Sequence, residues 1–283
     1  MTALSQPSRS TRILVHVIVF ILAAGMLLPV LWVILTSLKT QAESLSATPS
    51  LLPEGSPNAW QWGNYAEAWR LAQFGRFYGN SLLVAIVVTV VSVVHNALAG
   101  YAFAKLKFRG RRITFALVVS TMLLPYQVYF IFAYMLCGWL GYLDHLQALI
   151  VPFLASAFGI FYMKQSIAGV PDSLIEAARI DGMTDLQAFW HVVIPLARPA
   201  LAALAIFTFM GSWNNFFWPL IVIDSTDHFT LPLAINRLTT DYFTPSPPVR
   251  MAAATILIVP TVLVYLVFER AFVRGMALTG IKG

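Results

Sequence analysis

Residues 176–195 read EAARIDGMTDLQAFWHVVIP, the most polar stretch between two long apolar runs, and its helix signals organise the rest of the chain around it. Pro171 leads in, and Ser173 followed three residues later by Glu176 has the pattern of a capping box. Leu174, Ala177 and Ala178 then fall on one helical face at i, i+3, i+4. Gly182 stands where a helix ends in the left-handed region. A second capping box, Thr184 with Gln187, restarts the helix, and Leu186, Phe189, Trp190 and Val193 give it an apolar stripe that Pro195 is expected to stop. The stretch is therefore two amphipathic helices hinged at Gly182. Each apolar face needs a cover: the protein's own ends, a headgroup layer or another protein.

Such a hairpin is out of place in so apolar a chain. Of 283 residues, 59% are hydrophobic and 11% charged, with a mean hydropathy of +0.75, where a soluble domain carries about one-quarter charged residues. A helix crossing about 30 Å of hydrocarbon needs about 20 mostly apolar residues. Six runs approach or exceed that length, at about Ile13 to Leu38, Ser81 to Ala104, Ile113 to Trp139, Leu146 to Met163, Ala200 to Ile223 and Met251 to Phe268. In lipid the backbone must satisfy itself within each segment, so the runs are expected to be helices and the chain an all-α membrane protein with six transmembrane helices. The first run is too long for the apolar core of a secretory signal. The single Cys137 lies inside the third run, where no intrachain disulfide is possible and a thiol serves as a small apolar filler.

Charge orients the spans. The cluster KLKFRGRR, Lys105 to Arg112, joins two runs by a short loop, where basic residues are retained on the cytoplasmic side, so the net charge of +6 does not point to nucleic acid. With both termini inside, Arg9, Arg12, Lys105, Lys107, Arg109, Arg111, Arg112, Lys164, Arg179, Arg198, Arg270, Arg274 and Lys282 are cytoplasmic, and only Lys39, Arg70, Arg76, Arg237 and Arg250 lie outside. The expected organisation is a cytoplasmic N-terminus (1–12), one six-span domain (13–273) and a cytoplasmic tail (274–283). The domain includes an external segment at about 39–80 and a cytoplasmic loop at about 164–199. Trp60, Trp62, Tyr65 and Trp69 in the external segment suit either an aromatic belt at the headgroups or a partner-facing surface. The last external connection, Asp224 to Arg250, contains TPSPPVR, whose prolines are expected to be extended.

These residues resemble the membrane-spanning permease subunits of bacterial ATP-binding-cassette importers, within them the carbohydrate-uptake group that includes the maltose permeases. The cytoplasmic signature of that family is matched here by Glu176, Ala177, Ala178, Asp181, Gly182, Val192, Ile194, Pro195 and Pro199, with Val192 and Ile194 standing where Ile and Leu are usual. NSLLVAIVVTVVSVVHNALAGYAFAKLKFRG (Asn80 to Gly110), WNNFFWPL (Trp213 to Leu220) and FERAFVRGMALTGIKG (Phe268 to Gly283) resemble further family segments, in order, so that the likeness covers about residues 15–283.

The resemblance implies a type I importer permease (MetI-like) fold. Its cytoplasmic coupling helix, here Ser173, Leu174, Glu176, Ala177, Ala178, Arg179, Asp181 and Gly182, would seat in a groove of an ATPase dimer. It implies no cofactor in this chain, ATP and magnesium being bound by that ATPase. It also implies a second, homologous permease, a heterodimer being usual in the group, and an extracytoplasmic solute-binding protein. The place would be the bacterial cytoplasmic membrane, with both termini inside. Glu176 would pair with a cation on the ATPase, or would only cap Ser173.

No G-x-x-x-x-G-K-[ST] phosphate loop occurs, so nucleotide hydrolysis is expected in a separate subunit and no catalytic residue in this one. The five histidines are scattered on different segments with no metal-ligand spacing. The central parts of all six runs lack Asp, Glu, Lys and Arg, which speaks against an ion-coupled carrier, although an ATP-independent carrier or channel acting alone is the rival reading. His95, Asn96, Gln127, Asn214 and Asn215 break the apolar pattern deep inside. Gln127, Asn214 and Asn215, with Trp213 and Trp218, suit a translocation path in which amides bond hydroxyls and an indole stacks on a sugar ring. Interhelical hydrogen bonding is the other reading of the same residues. Pro125 and Pro260 are expected to kink their spans.

Overall fold

The computed structural model describes residues 9–70, 74–240 and 245–279. The chain forms two compact units, residues 1–74 with 237–258, and residues 75–236 with 259–283. The described residues contain helices and connections and no strand. Five of the helices are long and apolar enough to cross a membrane, and a bent pair makes a sixth.

In the first unit, α1 (Arg9–Ser37) is a 29-residue helix whose apolar side chains from Ile13 to Leu31 are exposed over most of its length, as expected of a surface that lipid solvates. The segment that follows is folded. Asn64 donates to the carbonyls of Ser37 and Lys39 at 2.8 and 3.0 Å, and the Ser37 hydroxyl meets the Tyr65 hydroxyl at 2.7 Å. These bonds dock α3 (Gly63–Arg70) on the end of α1. Between them α2 (Gln41–Ser44) is held by a full capping box of Thr40 and Glu43. Lys39 is 2% exposed, donates to the Ser50 carbonyl and lies over the Trp32 ring, so the aliphatic stem is covered and the charge keeps an acceptor.

The second unit is built on α4 (Phe74–Lys105), a 32-residue helix. Its inner face packs so closely on α8 (Ala157–Ala168) that a Cβ on Gly100 would come within 2.9 Å of Met163 and Lys164 backbone atoms. A Cβ on Gly159 would sit 2.3 Å from Asn96 Nδ2. The third span is not one helix. α5 (Arg111–Ser120) runs through a short 3₁₀ turn to Leu123, and α6 (Tyr126–Trp139) leaves at 106°. Pro125 forces this: Leu124, before it, is extended (ψ 132°), and Pro125 itself caps α6 with ψ 135°. The fourth span runs from α7 (Leu146–Ile150) to Ala168.

After α9 (Asp172–Ile180) and α10 (Asp185–Ala188), the helix does not stop at Pro195. It passes through a π turn at Phe189–Val193 straight into α11 (Ile194–Trp213). A regular helix would drive the Pro195 ring against the His191 carbonyl, and the wider turn absorbs that mismatch. The fifth span is therefore Asp185–Trp213 rather than about 200–223. It ends at Asn214 and Asn215, and α12 (Phe217–Val222) is a separate short helix.

Two expectations for the last connection are corrected. An unforeseen helix, α13 (Leu231–Thr240), occupies its middle. Pro247 and Pro248 open α14 (Pro247–Thr279) instead of extending the chain, since a helix's first turn needs no proline N–H. That helix continues through Pro260.

Candidate functional site

The hairpin of α9 and α10 is rooted in the second unit. Ile175 and Ala178 are 3% and 4% exposed and join a buried cluster of Ala97, Tyr101, Met163, Ile167, Phe189, Val193 and Leu204. The Tyr101 and Phe189 rings meet at 5.4 Å between centroids. Gly182 takes φ +84°, the Gly182 N–H donates to Arg179 and the Met183 N–H to Ala178, so the end of α9 is a Schellman cap. Across the turn Arg179 grips Asp185 at 2.8 Å. That pairing raises the Arg179 pKa. At the other end Lys105, its side chain 6% exposed, donates to Asp172 at 2.6 Å and to the Val170 carbonyl, which holds the Asp172 carboxyl below its usual range. The second capping box forms, with the Gln187 N–H on Thr184 Oγ1 and the Gln187 amide on the Thr184 N–H.

The first box does not form. α9 starts at Asp172 with Pro171 as its N-cap, which puts Ser173 inside the first turn, and no side-chain cap is made. The extended Pro171 (ψ 131°) and the Lys105 clamp on Asp172 set this boundary two residues earlier than a Ser173 cap would. Glu176 makes no side-chain hydrogen bond or salt bridge among the described residues, so capping is not its task here. It borders a crevice of about 270 Å³ with Lys105, Lys107, Arg111, Asp172 and Arg179.

The apolar face is corrected as well. Leu174, Ala177 and Ala178 are not together: Ala178 points inward beside Ile175, while Leu174 is 44% exposed and Ala177 is exposed. The outward face is Leu174, Ala177 and Ile180, the last 86% exposed, flanked by Ser173, Glu176 and Asp181. Both stripes fit a 3.6-residue period, and the bulkier Ile175 is the one the chain buries. Ile180 was missed because it stands between Arg179 and Asp181 at the end of the helix, and the stripe it shares with Leu174 and Ala177 competes with the one through Ala178. The expected second stripe likewise splits: Phe189 and Val193 are fully buried, and Leu186 and Trp190 are 58% and 45% exposed. His191 bonds the Gln187 carbonyl through Nδ1 and is exposed.

A cavity of about 620 Å³ lies where α11 ends. It is lined by Val88, Ser92, Phe153, Ser156, Phe158, Leu204, Phe207, Thr208, Gly211, Ser212 and Asn214 to Phe217, with no charged residue. Asn214 and Asn215 are both on it. Asn214 Nδ2 turns back to the Met210 carbonyl, 3.0 Å, and Asn215 Oδ1 accepts the Trp218 N–H, so one amide closes α11 and the other opens α12. Neither tryptophan is available for stacking on a ligand. Trp213 is 1% exposed between Phe209 and Tyr78, and Trp218 is 1% exposed against Phe130 with its Nε1 on the Ala148 carbonyl at 2.9 Å. The Gln127 side chain lies outside the described residues. The rings on the cavity are instead phenylalanines, and Ser92, Thr208 and Ser212 add hydroxyls. Thr208 and Ser212 were findable, as polar residues one turn apart in an apolar run. Asn96, by contrast, is spent on packing: its amide bonds Ser92 Oγ at 2.9 Å and the Ser156 N–H at 3.2 Å. Among the described residues no group of three His, Cys, Asp or Glu is arranged to hold a metal ion.

Residues 96–278 match the family described as "Binding-protein-dependent transport system inner membrane component". The chain belongs to this family. This inner membrane component is 36% identical over 207 residues to an arabinooligosaccharides transport system permease of Halalkalibacterium halodurans, covering 73% of this chain and 74% of that one. It is 30% identical to the diacetylchitobiose uptake system permease of Streptomyces coelicolor, over 90% and 84% of the two chains. It is also 30% identical to the sn-glycerol-3-phosphate transport system permease of Yersinia enterocolitica, over 95% and 96%. Its fold matches a chain of a bacterial ATP-binding-cassette transporter involved in the import of the acidic polysaccharide alginate, with a TM-score of 0.81 and 26% identity over 94% of this chain and 99% of that one. The type I importer permease fold expected from the sequence is therefore the fold found, and the chain is a multi-pass transporter subunit of a family whose members are not themselves enzymes.

Proposed function

We propose that this chain is the half-permease of an ATP-driven sugar importer, docked on a cytoplasmic ATPase dimer through α9. The observation that carries the docking is the two-sidedness of that helix. One face, Ile175 and Ala178, is rooted in the chain's own core, and the other leaves Ile180 86% exposed beside Leu174 in a segment too charged for hydrocarbon. Lipid cannot cover such a face, and a protein groove can. Glu176, Arg179 and Asp181 at its edges supply charge for register. Gly182 ends the helix abruptly in its left-handed cap, and Ser173 lies exposed in its first turn. ATP and magnesium belong to the ATPase, whose closure would push α9. Because α10 is continuous with α11 through the π turn, and α9 packs on that turn through Ile175 and Ala178, the push would reach the span lining the cavity.

A sugar-like solute suits a cavity of amides, hydroxyls and phenyl rings without charge. Relatives named for oligosaccharide transport support that class. Solute would arrive from an extracytoplasmic binding protein, and a second, different permease would complete the path. Both termini and the α9 hairpin would lie inside, in the domain arrangement expected from the basic residues. A tagged chain extracted gently from its bacterial membrane should bring down a phosphate-loop ATPase and a second six-span permease in stoichiometric amounts, identified by mass spectrometry. A chain that purifies alone and moves solute without ATP is the rival carrier.

A further inference from the structure

His95 stands on α4 ten residues before Lys105, about 15 Å along a helix that rises 1.5 Å per residue. With Lys105 opening the basic cluster at the membrane edge, that is the middle of about 30 Å of hydrocarbon. The imidazole is exposed, and among the described residues it makes no hydrogen bond or ion pair. Its neighbour Asn96 is fully buried and bonded on both sides, so the chain satisfies the amide at this depth and leaves the imidazole open. An unpaired imidazole facing lipid tails is costly, and the side chain needs water or a polar partner outside the chain. Helical spacing says which. Positions 88, 92, 95 and 99 form one stripe, and Val88 and Ser92 line the cavity, so His95 continues that lining one turn toward Lys105.

We infer that His95 lines the solute path beyond the cavity and hydrogen-bonds the hydroxyls of the passing solute, as a specificity residue of the permease. The inference rests on the importer reading. A neutral imidazole offers one donor and one acceptor, the same pair that a hydroxyl offers in return. No charged residue lines the cavity to compete for it or to draw an ion.

Cys137 is the only cysteine and is buried, so a Cys137→Ala chain in its complete complex is a clean background. Single cysteines replace His95, Thr208 on the cavity, and Val90, which is 57% exposed and about 140° round the helix from His95. The probe is a charged, membrane-impermeant methanethiosulfonate, applied without ATP and again after trapping with ATP and vanadate. Thiolates form only in water, so positions 95 and 208 should label at comparable rates and position 90 at least about tenfold more slowly. The rate at 95, and not at 90, should change on trapping. ATP hydrolysis by each complex reports its integrity, and should His95→Cys not assemble, Ala99→Cys on the same stripe is read the same way. A hydrolytically competent complex in which position 95 labels as slowly as position 90 in both states overturns the inference, since His95 then faces lipid or is packed against a partner. Uptake without ATP by the Cys137→Ala parent would overturn the importer reading instead.

Discussion

The α9 hairpin and the cavity beside Asn214 are two polar places in an apolar molecule, and they are polar in opposite ways. The hairpin carries full charges, Asp172, Glu176, Arg179, Asp181 and Asp185, and turns Leu174 and Ile180 outward. The cavity carries no charge and keeps its large apolar groups as a wall around amides and hydroxyls. Charges screened by water fix the register of a protein partner, whereas uncharged donors and acceptors exchange partners as a solute passes. On the proposed function, the difference separates a surface to be gripped from one to be slid past.

The comparison is tested most severely where the two faces of the hairpin diverge. Phe189→Ala empties a fully buried ring site at its root and should cost about 3–5 kcal/mol, read as thermal stability in detergent. Ile180→Ala should leave that stability within about 0.5 kcal/mol, as surface changes do, while weakening ATPase binding. Equal destabilisation by both would mean that α9 has no free face.

Next, Gly159→Ala should cost about 1–3 kcal/mol, since the new methyl meets the Asn96 amide that joins α4 to α8. A neutral result would show the two helices free to separate. Around the cavity the two kinds of residue should part. Trp218→Phe removes the donor to the buried Ala148 carbonyl and should cost about 1–3 kcal/mol of stability with KM for uptake unchanged. Asn214→Ala should do the reverse, raising KM with little effect on melting.

The smallest effect is expected from pH. Asp144 accepts from the Ser225 hydroxyl and N–H and from the Asp224 N–H, and these bonds lower its pKa. Its contribution is thus complete above the ordinary carboxylate range and lost as pH falls through its lower folded value. Melting followed below about pH 5 should show a drop that Asp144→Asn lacks.

The existence of the spans, though not the bounds of the fifth or the break in the third, and the second capping box were legible because their signals are local: twenty apolar residues in a row, or a Thr with a Gln three residues on, need no knowledge of the rest of the fold. Gly182 was readable for the same reason. The first box failed because Lys105, 67 residues before Asp172, sets where α9 begins, and no window along the chain contains both. Leu174 and Ile175 are adjacent and apolar, so only the cluster under the hairpin decides which is buried. Pro195 read as a stop because a π turn leaves no mark in composition. Trp213 and Trp218 looked like ligand platforms because their burial between Tyr78, Phe209 and Phe130 is a property of packing, not of spacing. The Phe153, Phe158 and Phe207 rings that line the cavity are unremarked among 20 phenylalanines.

The most direct test of the account is ATP-dependent oligosaccharide uptake by vesicles containing the chain with its co-purified subunits, compared with the same vesicles carrying Ile180→Asp. The account predicts uptake that requires ATP in the first and is abolished in the second, with the Ile180→Asp chain still inserted and equally heat-stable. Full uptake by the variant, or uptake by the isolated chain without ATP, would contradict it.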